Sequence, residues 1–227
     1  MSLLDDYEPE AAHILPVVLL LDTSGSMAED GKIEVLNDSV TEMIEELTEG
    51  DDGHGAITLS MVTFGKAQAK LELDNVPIAN VEFASLRGNG RTPMGDAFRV
   101  TRELINDKEK FPSSSYRPIL ALVSDGIPTD PSWEPELERL LDSDRGQKSR
   151  RLALAIGADA DRDLLARFST EEVWEASEAA QIRTFIQFVT ATVTQVTLSV
   201  FEPDEPESLT ETDSAESLIR LQRDDAF

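Results

Sequence analysis

The stretch Pro16-Val17-Val18-Leu19-Leu20-Leu21-Asp22-Thr23-Ser24-Gly25-Ser26 decides the architecture. Its first six residues are a continuous apolar run ending on an acid. A run of that length, bounded by turn residues, marks a strand buried on both faces of a parallel sheet. A second such run, Ile119-Leu120-Ala121-Leu122-Val123-Ser124, follows Arg117-Pro118 and ends on Asp125, and Leu152 to Gly157 is a third. Helical patterns separate them. Ile33, Leu36, Val40, Ile44 and Leu47 recur at i+3 and i+4 spacing over about 32–47, and the breaker-rich stretch 49–55 closes that helix.

The intervening segments fit the same alternation. Ile57 to Phe64 alternates at period two and reads as a strand, with residues 68–74 as its hairpin partner and Val76 to Leu86 as a loose connection. Gly88 to Pro93 is a turn, with Pro93 suited to the first helical position. Met94, Ala97, Phe98, Thr101, Leu104 and Ile105 then line one helical face. Asp130-Pro131 reads as the cap and first residue of a helix reaching about Leu141. A short helix over 161–168, an edge strand over 172–174 and a long last helix from Ile182 complete the series. Beyond Thr190, β-branched residues crowd the pattern, so Val196, Leu198 and Val200 also fit a strand. Strands alternating with helices give an α/β fold: an open, doubly wound, mostly parallel sheet flanked by helices.

Composition narrows the function. The chain has 227 residues, 45 acids and 20 bases, for a net charge of −25. Such a surface repels nucleic acid and anionic lipid. Cysteine is absent, which removes disulfides, thiol nucleophiles and Cys-ligated zinc. The only histidines, His13 and His54, read as solvent-facing loop residues. The acidic start and the short run 14–21, broken by Pro16, give neither a basic targeting segment nor a membrane span, so a cytoplasmic protein is expected. Residues 1–12 read as an acidic extension, 13–200 as the domain, and 201–227 as an acidic, disordered tail with nine acids against two bases. The domain between these ends is acidic too. With 6 lysines against 14 arginines, that bias suits a high-salt cytoplasm, or a mesophile with an acidic surface.

Chemistry belongs where the buried strands end, because open α/β sheets bind ligands outside the carboxyl ends of strands at the point where strand order reverses. If the strands before Asp22 and Asp125 are neighbours there, both acids face one crevice. Ser24 and Ser26 follow Asp22 on a turn loosened by Gly25, and Thr92 arrives from a second loop. Two carboxylates and three hydroxyls make an all-oxygen set suited to Mg²⁺ or Mn²⁺.

Asp22-Thr23-Ser24-Gly25-Ser26 resembles the D-x-S-x-S signature of von Willebrand factor type A domains. Thr92, within Gly90-Arg91-Thr92-Pro93-Met94-Gly95, and Asp125-Gly126 match that family's other two elements in order and spacing. The likeness covers about residues 14–197 and includes every position of the metal-ion-dependent adhesion site. More narrowly, the stretch from Arg117 to Asp130 and the segment Ile182 to Val189 resemble stand-alone members of the TerY-like, tellurite-resistance-associated group. The resemblance implies a Rossmann-like fold and a metal site in which Ser24 and Ser26 ligate directly, Thr92 ligates in a ligand-engaged state, and Asp22 and Asp125 act directly or through water. It implies a docking site for a partner's Asp or Glu carboxylate, with no catalysis, in a monomer.

Other readings stand beside this one. Ser and Gly after a strand also make an ordinary turn feeding a helix, and Thr92 also reads as a helix cap. Asp96 reads as an exposed first-turn acid complementing the helix dipole, and Asp130 as a cap. Trp133 and Trp174 read as packing residues. Arg87 and Arg91 read as solvated charges, with orientation of an acidic partner as the alternative. An aspartyl-phosphate phosphatase needs a second Asp where Ser24 stands and a Lys at the phosphoryl group; Lys32, the nearest, lies in the first helix. Two partner classes follow from the resemblance: an adaptor beside a kinase/phosphatase pair in stress or metal resistance, or a subunit coupling an AAA+ ATPase to its target. The net charge suggests a partner that presents one carboxylate within a basic surface.

Overall fold

The computed structural model describes residues 14–50 and 56–201. His13, His54, the extension 1–12 and residues 202–227 lie outside the described residues. Six strands form one sheet: β1 (Ile14–Asp22), β2 (Ala56–Gly65), β3 (Gln68–Pro77), β4 (Ile119–Ser124), β5 (Arg150–Ile156) and β6 (Trp174–Ala176). Their order is β3-β2-β1-β4-β5-β6, and all neighbours are parallel except the β2–β3 hairpin. Six α-helices lie among the described residues: α1 (Lys32–Gly50), α2 (Met94–Ile105), α3 (Trp133–Asp142), α4 (Asp144–Lys148), α5 (Arg162–Phe168) and α6 (Ala180–Phe201). The expected α/β class and mostly parallel sheet are what the structure shows.

The apolar run of β1 feeds two cores by simple alternation. Val17, Leu19 and Leu21 of β1 point to the face covered by α1 and α6, with Leu36, Val40, Phe185 and Val189. Val18 and Leu20 point to the other face, covered by α2, α3 and α5, with Phe98, Leu140 and Phe168. Successive strand side chains take opposite faces, so only an all-apolar strand can serve both layers. Each of these residues is fully buried, worth about 1.5–3 kcal/mol apiece relative to exposure. β1 and β4 are central neighbours, with Leu19 opposite Ala121. The helix after β1 lies on one face and the helix before β4 on the other. Strand order therefore reverses between β1 and β4, which makes their carboxyl ends the binding crevice of this architecture.

Several local expectations are corrected. β3 continues to Pro77, and a single 3₁₀ turn at Ile78–Asn80 buries Ile78, so the connection from Val76 is ordered at its start. The edge strand sits at 174–176. α6 stays helical to Phe201. The Thr190, Thr194 and Thr197 hydroxyls donate to carbonyls four residues back, an outlet that reconciles Thr with a helix. α4 is an added turn, capped by Ser143, whose hydroxyl accepts from the Gly146 amide at 3.1 Å.

Asp130 does not cap its own helix, because α3 starts three residues later at Trp133. Its carboxylate instead accepts from the amides of Gly95 at 3.2 Å and Asp96 at 3.1 Å, at the start of α2. The physical reason is local. Pro93 precedes that helix and has no side-chain acceptor to offer its first amides. Trp133 and Trp174 do pack as expected: Trp133 lies under the Arg167 guanidinium at 5.5 Å, and Trp174 lies against Phe188 at 4.8 Å.

Candidate metal centre

β1 delivers Asp22, fully buried, and the chain then turns through Thr23-Ser24-Gly25-Ser26 into a short 3₁₀ helix. Asp22 shapes this turn. One carboxylate oxygen accepts from the Ser24 amide at 2.8 Å and the other from the Ser124 hydroxyl at 2.6 Å. The Ser124 bond ties the end of β1 to the end of β4. Next along β4's exit, Asp125 is 4% exposed and accepts from the Ser26 hydroxyl at 2.7 Å. Ser26 in turn lies 3.0 Å from the Ser24 hydroxyl. Ser24, Ser26 and Asp125 thus form one run of hydrogen bonds, drawn from two loops.

Thr92 comes from a third loop and is buried. Its backbone is held at both ends by Thr129: the Thr92 amide donates to the Thr129 hydroxyl, and the Thr129 amide donates to the Thr92 carbonyl at 2.9 Å. A Cβ added at Gly126 would lie 3.4 Å from the Thr92 hydroxyl, so Thr92 abuts the Asp125–Gly126 turn. The loops are stitched to one another as well. Gly25 donates to the Gly90 carbonyl at 3.1 Å, and Asn89 donates to the Thr23 carbonyl at 2.8 Å. The structure therefore brings Asp22, Ser24, Ser26, Thr92 and Asp125 to one crevice.

Electrostatics there run against two buried carboxylates. Burial pushes the Asp22 carboxyl up to about 6, opposed by the bonds from Ser124 and Ser24 and reinforced by the nearby Asp125. The structure supplies one compensating charge that sequence reasoning placed elsewhere. Lys32, the first residue of α1, turns back into the crevice and donates to Asp125 at 2.7 Å and to the Ser26 carbonyl at 3.3 Å. Asp30 and Gly31 make this return possible, since both adopt the left-handed region (φ 55° and 72°). The position of Lys32 "in the first helix" is therefore no argument for distance. An i+6 offset across a turn left no periodic signal. Ser124 and Thr129 were missed too, although a hydroxyl directly before Asp125 is a readable hint.

The residues fit a hard divalent cation by the chemistry of their donors, which are oxygens only. They also fit by the ammonium that already stands among them as a cation. Among the described residues no group of three or more His, Cys, Asp or Glu gathers to hold a metal, as expected of a crevice whose donors are mostly hydroxyls. Asp96 is the first-turn acid expected, but it is half-buried and engaged by its neighbours. It accepts from the Ala69 amide at 2.8 Å and pairs with Arg99 at 2.7 Å, pinning α2 to the β2–β3 hairpin.

An open α/β sheet carrying an oxygen-lined crevice at its switch point defines a class of ligand-binding domain. The chain belongs to the von Willebrand factor type A domain family, whose pattern matches residues 17–190. Domains of this family are metal-dependent protein-interaction modules. Among solved structures, the chain is similar to proximal thread matrix protein 1 from the mussel byssus, a structure with a zinc-occupied MIDAS motif, at 19% identity and TM-score 0.62, covering 82% of this chain and 49% of that one. The pilus adhesin SpaC from Lactobacillus rhamnosus GG matches at 13% identity and TM-score 0.66, covering 82% and 30%. A von Willebrand factor type A protein from Catenulispora acidiphila matches at 16% identity and TM-score 0.61, covering 81% and 43%. The chain thus spans half or less of the length of these structures, and at such identities the likeness is one of fold. No curated protein matches it in sequence. No helix among the described residues is long and apolar enough to cross a membrane.

Proposed function

We propose that this chain is a metal-dependent docking module in which Ser24, Ser26 and Thr92 hold Mg²⁺ or Mn²⁺, with Asp22 and Asp125 acting directly or through water. The observation that carries the reading is the Lys32 ammonium drawn against Asp125: this crevice needs a cation. A divalent ion there supplies Lewis acidity and an open coordination position for a partner's Asp or Glu carboxylate. The chain's own residues set that position up. Neutral hydroxyls outnumber the carboxylates, which leaves a bound cation electron-poor. Asp22 fixes the turn through Ser24 and Ser124, while Lys32 neutralises Asp125 and would compete with a bound ion for it. Asp22 is fully buried and both its oxygens accept hydrogen bonds, which suits a ligand and not a nucleophile; the reading is non-enzymatic.

In this reading the protein is a monomeric cytoplasmic adaptor in a stress, metal-resistance or signalling complex, following its resemblance to TerY-like members. Calorimetric titration of Mg²⁺, Mn²⁺ and Zn²⁺ into wild type and Ser26→Ala tests the centre. Binding weakened at least tenfold by the substitution is expected; equal binding, or none, defeats the assignment. Affinity capture with and without Mg²⁺ then separates a kinase/phosphatase pair from an AAA+ ATPase.

A further inference from the structure

Lys66, Arg87 and Arg91 are exposed, and among the described residues none of them forms an ion pair or donates a side-chain hydrogen bond. They are exceptions in a strongly acidic protein. Every other described Lys and Arg, save Lys108 and Arg117, is bound to a carboxylate or a carbonyl. Three of the unpaired cations therefore gather on the two loops that border the metal turn.

The backbone holds them there. Lys66 donates to the Asn89 carbonyl at 2.9 Å, and Arg91 donates to the Lys66 carbonyl at 3.2 Å. Gly65, Gly88 and Gly90 permit the close approach. Added Cβ atoms would lie 2.4 Å from the Thr23 carbonyl oxygen, 2.6 Å from the Ala28 nitrogen and 2.4 Å from the Lys66 Cα, respectively. Two grooves meet at Lys66. One, of about 560 Å³, runs past Thr23, Lys70, Glu72 and Arg87. The other, of about 630 Å³, runs past Asn89, Arg91, Thr129 and Asp130. Their acids are already engaged: Glu72 binds Lys70, and Asp130 caps α2.

We propose that these grooves receive an acidic peptide segment of the partner, with Lys66, Arg87 and Arg91 binding carboxylates that flank the one docked at the metal. The proposal rests on the metal-docking reading and deepens it by naming the partner's local chemistry. It reverses the partner charge suggested by the chain's total of −25. At a Debye length of about 10 Å, a docking segment responds to the charges beside it. The rest of the surface repels an extended polyanion such as nucleic acid or an anionic membrane, so a short protein segment is the matching ligand.

Two fluorescent peptides of equal length test this: one with a single aspartate among glycines, and one with that aspartate flanked on both sides by glutamates. In Mg²⁺ and about 0.1 M salt, where the screening length is about 10 Å, the acidic peptide is expected to bind full-length protein about tenfold more tightly. The triple variant Lys66→Gln, Arg87→Gln, Arg91→Gln is expected to lose that advantage while keeping its affinity for the single-aspartate peptide. Equal binding of both peptides to wild type overturns the groove and leaves the metal reading intact, as does an advantage that survives in the variant. Grooves filled by the chain's own C-terminal acids would also abolish the advantage and overturn the proposal. Conversely, an affinity for the acidic peptide that is the same with and without Mg²⁺ but is lost in the triple variant keeps the groove and overturns the metal reading.

Discussion

Lys32 shows how one side chain sets the resting state of the centre. Its ammonium, 17% exposed, neutralises an Asp125 side chain that is 1% exposed. Removing one partner of a buried pair strands the other charge. Lys32→Ala is expected to cost the metal-free protein about 1–3 kcal/mol and to raise Mg²⁺ affinity several-fold, because the competing cation is gone. Thermal unfolding and calorimetry read both effects, and an unchanged or weaker Mg²⁺ affinity would sink the role. Asp22 gives the second prediction. Its carboxyl titrates at about 6, above the ordinary 3.8, so the folded metal-free protein holds that proton more tightly than the unfolded chain does. The group therefore favours folding at low pH, and the benefit is lost as pH rises through 6, a swing of about 3 kcal/mol by pH 7. A bound cation relieves the cost. The gain in melting temperature on adding Mg²⁺ is expected to be larger above pH 7 than at pH 5, and Asp22→Asn should flatten that difference.

At the level of elements, the loop at 88–91 is the structural weak point of the site. Gly90 has φ +84°, and its carbonyl accepts from Gly25 in the metal turn. Gly90→Ala is expected to destabilise the fold by about 1–3 kcal/mol and to weaken Mg²⁺ binding, since the backbone shift it forces pulls on Gly25. Urea unfolding with a parallel Mg²⁺ titration checks both; wild-type values in each would show the loop to be independent. How legible these elements were depended on the range of the forces that make them. The runs before Asp22 and Asp125 declared central strands because burial on both faces is a local compositional demand. Asp130 misled, since its cap crosses from the loop after β4 to α2, and Asp-Pro looks the same whichever helix it serves. The end of α6 was ambiguous because Val and Thr fit strands equally well, and the threonine bonds to carbonyls one turn earlier resolve it. Lys32 was hidden by two left-handed residues that redirect α1's first side chain.

For the whole molecule, the dominant quantity is the net charge of −25, set against a handful of unpaired cations at one end of the sheet. Self-repulsion of that size opposes compaction, and salt screens it. Melting temperature in the absence of divalent ions is expected to climb as NaCl rises from 0.05 to 1 M, with the steepest rise at the low end. A flat or falling profile in differential scanning calorimetry would show that the ion pairs between neighbouring elements, such as Arg183–Glu42 and Arg167–Glu134, outweigh the repulsion.

β1 is hydrogen-bonded along both edges, to β2 and to β4. Its amides exchange with deuterated solvent only when the sheet itself comes apart, so the turn bearing Ser24 and Ser26 grows from one of the doubly paired inner strands. The segment 82–88 is different. It has no regular pairing; Leu86, whose amide and carbonyl are both held by the Asn37 side chain, and Phe83 pack on the core. Arg87 rides on that segment. One binding surface therefore has two kinds of support: a metal turn rooted in a strand paired along both edges, and an Arg87 side chain carried on a segment without regular pairing.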